Sequence, residues 1–155
     1  MKLDTFDRQL LNLVQEDAAL TAEKLSESVS LSVSAIQRRL RRLHETGAIQ
    51  RDVAVADPQL VGRPTFFVVA LQIERERPEL LAQLRRWLAA EAQVQQAFYV
   101  TGEADFVLIV TAPDTASYDE LMSRMVKENA NIRRFTTNVA LGIVKRGLAI
   151  PLAIA

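Results

Sequence analysis

The chain has 155 residues, room for one ordinary domain or two small ones. Apolar residues make up 49% and charged residues 25%, a globular composition, and 19 Lys and Arg balance 19 Asp and Glu. These values exclude a polycation that binds nucleic acid by bulk charge, and the absence of cysteine excludes a disulfide scaffold, a thiolate nucleophile and any Cys-type zinc finger. The single histidine, His44, leaves almost nothing from which to build a histidine metal site or a Ser-His-Asp triad, so neither a catalytic centre, a metal nor a cofactor is expected. The opening Met1–Leu11 is too charged for a signal peptide, and no stretch approaches the roughly 20 apolar residues that span a bilayer. The expectation is a soluble cytoplasmic chain with no membrane partner.

In chain order, the first fifty residues carry helical periodicity. Asp4 with Asp7 is a weak capping-box pattern, and Phe6, Leu10, Leu13 and Val14 follow as one stripe. Thr21 can cap a second helix with Ala22, Leu25 and Val29 inward. After the turn at Ser30-Leu31-Ser32, Ser32 can cap a third, carrying Val33, Ile36, Leu40 and Leu43 and closed by Gly47. The alternation Ile49, Arg51, Val53, Val55 predicts a strand over Ile49–Ala56. Asp57-Pro58 breaks it and Gly62-Arg63-Pro64 ends the linker, which sets domains at 1–60 and 65–155.

The second domain reads strand, helix, strand, strand, helix, strand. Phe66–Ile73 is a nearly continuous apolar run. Pro78 opens a helix with Leu81, Leu84, Trp87 and Leu88; Val94–Thr101 and Phe106–Ala112 are strands around a turn at Gly102–Asp105. Pro113-Asp114 starts a helix with Tyr118, Leu121, Met122 and Met125, and Phe135–Ile143 alternates again. Phe135, Thr137, Val139, Leu141 and Ile143 are assigned to the helix-packed face, and Thr136, Asn138 and Ala140 to a solvent or oligomer face. That βαββαβ order is a split βαβ, ferredoxin-like unit, so the fold class is α+β. The apolar tail from Leu148 to Ala155 is read as an edge strand or an interface cover.

Two short helices around a tight turn, the second amphipathic, have the layout of a helix-turn-helix. Between Ser32 and His44 lie four arginines and no acid, while the first domain as a whole is close to charge-balanced. Positive charge is therefore focused on one helix. A helix fits the major groove, its N-terminal residues reach base edges, and arginines further along meet phosphates. Candidate base readers are Ser32, Ser34, Ala35, Gln37 and Arg38; candidate phosphate clamps are Arg39, Arg41 and Arg42. Four neutralised phosphates per protomer give a dimer a salt slope on the order of −7. The alternative is a solvated basic face, and His44 reads as a surface residue at a helix end.

The chain resembles the Lrp/AsnC, or feast/famine, family of transcription regulators. The resemblance runs through Leu3-Asp4-x-x-Asp7-Arg8-x-Leu10-Leu11, Leu25, Leu31-Ser32-x-Ser34-x-x-x-Arg38-Arg39-Leu40-x-x-Leu43 and Gly47-x-Ile49. It continues with Asp57-Pro58-x-Leu60-x-Gly62 and Val94-x-x-Ala97-Phe98-Tyr99-Val100-Thr101-Gly102-x-x-Asp105-Phe106, covering nearly the full length. The resemblance implies a winged-type helix-turn-helix followed by a ferredoxin-like effector and oligomerisation module. It implies a regulator that binds a pseudo-palindromic site on double-stranded DNA as a dimer, or as a tetramer, octamer or larger ring. Assembly or DNA binding would respond to a free amino acid or related metabolite.

By that likeness the effector site centres on Thr101, Gly102, Glu103, Ala104 and Asp105, with Tyr99 before them and Thr136, Thr137 and Asn138 on the last strand. Backbone N–H groups at Gly102 and Glu103 can take a carboxylate and Asp105 an α-ammonium. A tight turn needs the same residues without a ligand. Family members usually carry a bulkier residue where Ala104 stands, and Gly-Tyr after the position of Ile49, where this chain has Gln50-Arg51-Asp52. A branch with the same two-domain layout resembles sirohaem decarboxylases, which use histidines in the sensory half. Residues 65–155 have none, so an enzyme is a disfavoured alternative, as is a sensor protein of that layout that no longer binds DNA, which the Arg38–Arg42 cluster argues against.

Overall fold

A computed structural model of the chain describes residues 2–74 and 77–154. It divides into two compact units: residues up to 55 together with the tail from 145, and residues 56–144.

The first unit is built on three helices, α1 (Thr5–Glu16), α2 (Ala22–Ser26) and α3 (Val33–Glu45). Each has a side-chain cap. Asp4 accepts from Asp7 N at 2.8 Å and Asp7 reciprocates at Asp4 N, a full capping box. Thr21 caps α2 and Ser32 caps α3, satisfying N–H groups that a helix start leaves without intrahelical partners. Leu10, Leu25, Val29 and Ile36 close the core, and Leu43 is buried at the far end of α3. Gly47, at φ +73°, turns the chain out of α3 in the left-handed conformation glycine favours.

The strand expected over Ile49–Ala56 does not form. Ile49 N donates to Leu43 O; beyond it residues 50–57 run exposed outside any strand, with Val53 and Val55 in solvent. Alternation alone does not hold a strand, which needs a neighbour's ladder of hydrogen bonds, and no strand lies between α3 and Thr65 among the described residues.

The tail, expected to belong with the second domain, joins the first unit. Two amide side chains on α1 read its backbone. Asn12 donates to Leu152 O and accepts from Leu152 N, both at 2.9 Å; Gln15 donates to Ile150 O at 3.0 Å and accepts from Ile150 N at 2.8 Å. Asn12 and Gln15 lie one turn apart, so the helix stands in for the neighbouring strand an extended segment needs.

The second unit holds β1 (Thr65–Ile73), α4 (Pro78–Ala90), β2 (Val94–Tyr99), β3 (Phe106–Ala112), α5 (Thr115–Glu128) and β4 (Ile132–Val139). The strands form one antiparallel sheet in the order β2-β3-β1-β4, the ferredoxin-like arrangement. Phe67, Val69 and Leu71 of β1 and Phe106, Leu108 and Val110 of β3 face the helices, meeting Leu84 and Leu88 of α4 and Leu121, Met122 and Met125 of α5. The rings of Phe67 and Tyr118 stack at 3.9 Å. The opposite face carries Val68, Ala70 and Gln72 of β1 beside Asn138, Thr136 and Arg134 of β4.

The last strand starts and stops earlier than expected. It runs Ile132–Val139, not Phe135–Ile143, and Leu141 and Ile143 lie beyond it, exposed. Its ladder with β1 ends where β1 begins: Val139 faces Phe67, Ala140 N donates to Phe66 O, and Pro64 just upstream has no N–H to extend the ladder.

Candidate functional site

On α3 the apolar stripe turns Ile36 and Leu43 inward and leaves Ser34, Gln37, Arg38 and Arg41 exposed, with Ala35 half-buried beside them. Ser32 Oγ accepts from Ala35 N at 3.3 Å and shares a hydrogen bond of 3.3 Å with Ser34 Oγ, in which either hydroxyl can donate. Arg38 and Arg41 have no ion pair among the described residues.

Arg39 and Arg42 occupy a different environment. Asp7, only 1% exposed, accepts from Arg39 Nη1 at 2.8 Å and from Arg42 Nη2 through both oxygens at 2.6 Å. Arg39 Nη1 also donates to Asp4 Oδ2 at 2.7 Å, and its guanidinium lies over the Phe6 ring. The Asp7 backbone N–H, and then Arg39, hold the Asp4 carboxyl below the usual carboxylate range, and Asp4 in turn raises Arg39. These two arginines clamp α1 to α3. Arg39, expected as a phosphate clamp, is engaged by Asp4 and Asp7 with about a fifth of its side chain exposed, and Arg42 shares its charge with Asp7. Sequence spacing put all four arginines off the apolar stripe; it gave no sign that a buried carboxylate on another helix would claim two of them.

In the second unit the outer sheet face carries a cavity of about 250 Å³ lined by Ala70, Gln72, Glu103, Ala104, Arg134 and Thr136. Strand register explains the set. Ala70 stands across from Thr136 and Gln72 across from Arg134, and Gln72 Nε2 donates to Glu103 O at 2.7 Å, tying the β2–β3 loop to the cavity rim. Gly102, at φ +124°, takes the loop through a conformation open to glycine. Glu103, Ala104 and Thr136, expected at the effector site, therefore come together.

Other expected members do not. Tyr99 pairs with Phe106 on the helix-facing side, its ring 5.0 Å from that of Phe106 and beneath the Arg85 guanidinium. Thr137, one residue on from Thr136, faces the other way and hydrogen-bonds the Tyr118 hydroxyl, because successive side chains on a strand alternate. Asn138 shares the outer face but stands across from Val68, and neither it nor Thr101 lines the cavity. Asp105 does not line the cavity and is held by three hydrogen bonds. Its N–H donates to Leu71 O, its Oδ2 accepts from Ile73 N, both at 2.8 Å, and its carbonyl accepts from Val100 N. Ala70, Gln72 and Arg134 are the additions. The signal for them was cross-strand register, which one strand's pattern does not contain.

Residues 3–44 match the model of the AsnC-type helix-turn-helix domain, and residues 67–150 that of the Lrp/AsnC ligand binding domain. The chain belongs to the Lrp/AsnC family. It is 42% identical over 154 residues to an HTH-type transcriptional regulator of Sinorhizobium fredii, covering 99% of this chain and 91% of that protein. Its fold is similar to the crystal structure of an AsnC family transcriptional regulator from Agrobacterium tumefaciens, with TM-score 0.87, 29% identity and coverage of 96% and 97%. It is also similar to a feast or famine regulatory protein from M. tuberculosis complexed with L-methionine, with TM-score 0.79, 28% identity and coverage of 94% and 96%. This Lrp/AsnC chain is thus a DNA-binding transcriptional regulator, a helix-turn-helix joined to a ferredoxin-like ligand-binding module.

Proposed function

We propose that this regulator reads a pseudo-palindromic DNA site as a dimer or larger assembly in the cytoplasm, and that an amino acid bound at the outer sheet face of the ligand-binding module alters that assembly or its hold on DNA. In this reading Ser34, Gln37 and Arg38 meet base edges and Arg41 a phosphate, with Ser32 and Ala35 at the entrance of the helix. The observation that carries it is the exposed face carrying Arg38 and Arg41 on a helix whose flank is pinned through Arg39 and Arg42 to Asp7. A fixed, cationic helix face is what groove insertion requires. Supporting the effector half, the cavity brings together a carboxylate and a guanidinium that has no ion pair among the described residues, the groups that a zwitterion needs. The structural relative with L-methionine bound shares the fold. The exposed Val68 and Phe98 of the outer sheet face support association through that sheet. Among the described residues no helix is long and apolar enough to cross a membrane.

The test is binding of Arg38→Ala to a selected operator and to scrambled DNA. Loss of about 1–3 kcal/mol on the operator with little change on scrambled DNA supports base reading. Equal weakening on both makes Arg38 a phosphate contact, and no weakening on either removes α3 from the groove.

A further inference from the structure

The cavity on the outer sheet face holds more anion-binding capacity than one carboxylate needs. Arg134 lies on β4 across from Gln72, and its guanidinium makes no ion pair or hydrogen bond among the described residues. A guanidinium is a rigid fork of donors matched to a carboxylate. The loop on the cavity's other wall adds a second set of donors. Val100 N pairs with Asp105 O, and between these points the N–H groups of Gly102, Glu103 and Ala104 meet no acceptor among the described residues. Successive free N–H groups in a turn with positive φ at glycine make an anion-binding concavity. The same wall carries one carboxylate, Glu103. Asp105 does not line this cavity, and its Oδ2 accepts from Ile73 N. Two receivers for anions and one for a cation are thus set around a space kept open by the methyl side chains of Ala70 and Ala104.

We infer that the effector is an acidic amino acid, its side-chain carboxylate held by Arg134, its α-carboxylate by the loop N–H groups and its ammonium by Glu103. This inference rests on the proposed amino-acid site and adds the ligand's charge class and the residue that selects it. An amino acid with an apolar side chain uses the loop and Glu103 and leaves Arg134 with water alone.

The experiment is calorimetric titration of the full-length protein with L-glutamate, L-glutamine and L-leucine at fixed ionic strength. It is done on the wild type and on Arg134→Gln, an exposed position where the fold is checked by circular dichroism. Glutamate and glutamine have the same shape, so their difference isolates the charge. The expected result is glutamate bound about tenfold tighter than glutamine by the wild type, with that preference gone in Arg134→Gln. Equal affinity for glutamate and glutamine, a preference for leucine, or a glutamate preference that survives Arg134→Gln overturns the acidic assignment and leaves the amino-acid site standing. Absence of binding by all three in the wild type, with no change in assembly by sedimentation, overturns both.

Discussion

Replacing Asp7 by alanine tests how the DNA-reading helix is held. The carboxylate is 1% exposed and accepts from Arg39, from Arg42 through both oxygens, and from Asp4 N in the capping box. Removing one partner of a fully buried ion pair costs about 3–5 kcal/mol, because the other charge is left without compensation. Here the arginine side chains are 21% and 45% exposed, so water recovers part of the loss. Discounting for that, and adding the reciprocal cap, gives about 2–3 kcal/mol. The assay is urea unfolding of Asp7→Ala and of the near-isosteric Asp7→Asn, followed by circular dichroism at 222 nm. A downward shift of the midpoint at unchanged slope is expected for both. A loss below about 0.5 kcal/mol in both variants refutes the reasoning and returns Arg39 and Arg42 to the solvent-facing set.

The ionic grip on DNA follows from the same geometry: with Arg38 and Arg41 free on each protomer, a dimer neutralises four phosphates and its salt slope is about −4, whereas a slope near −7 means that Arg39 and Arg42 also reach DNA. Asp4 makes the first unit acid-sensitive. Its folded pKa lies below the usual 3.8, so its contribution is present above that value and is lost as pH falls through the lower, folded one. The acid-unfolding midpoint of Asp4→Asn should therefore respond less steeply to pH below about 4, and an unchanged acid limb contradicts this. Ending the chain after Arg146 removes the four amide bonds from Asn12 and Gln15, each worth about 0.5–1.5 kcal/mol net, and should lower the thermal midpoint of the helix-turn-helix; Asn12→Ala should give part of that loss. If truncation leaves helix stability unchanged, the tail is not part of that unit.

The elements that the sequence disclosed are those whose signals are local. Periodicity and capping residues placed the three helices of the first unit and both helices of the second, since Asp4, Thr21, Ser32 and Asp114 each occupy the cap for which their short acceptor side chains suit them. What was hidden depends on partners distant in the chain. The Ile49–Ala56 alternation met no neighbouring strand, and the tail found α1 through Asn12 and Gln15, more than 130 residues away in sequence. The candidate site divided along the same line. Glu103, Ala104 and Thr136 gather at the cavity, but Tyr99 and Thr137 fall on the wrong side of the sheet, which only the register of β2 against β3 and of β4 against β1 decides. Arg134 and Gln72 entered for the same reason.

The account stands or falls on ligand-responsive, sequence-specific DNA binding. Its most direct test is selection of bound DNA from a random-sequence pool by the full-length protein at near-physiological salt, with and without a mixture of the common amino acids. The predicted result is an enriched pseudo-palindrome with half-sites roughly 34 Å apart, or a multiple of that, its recovery changed by the mixture. A pool that shows no enriched sequence in either condition contradicts the account.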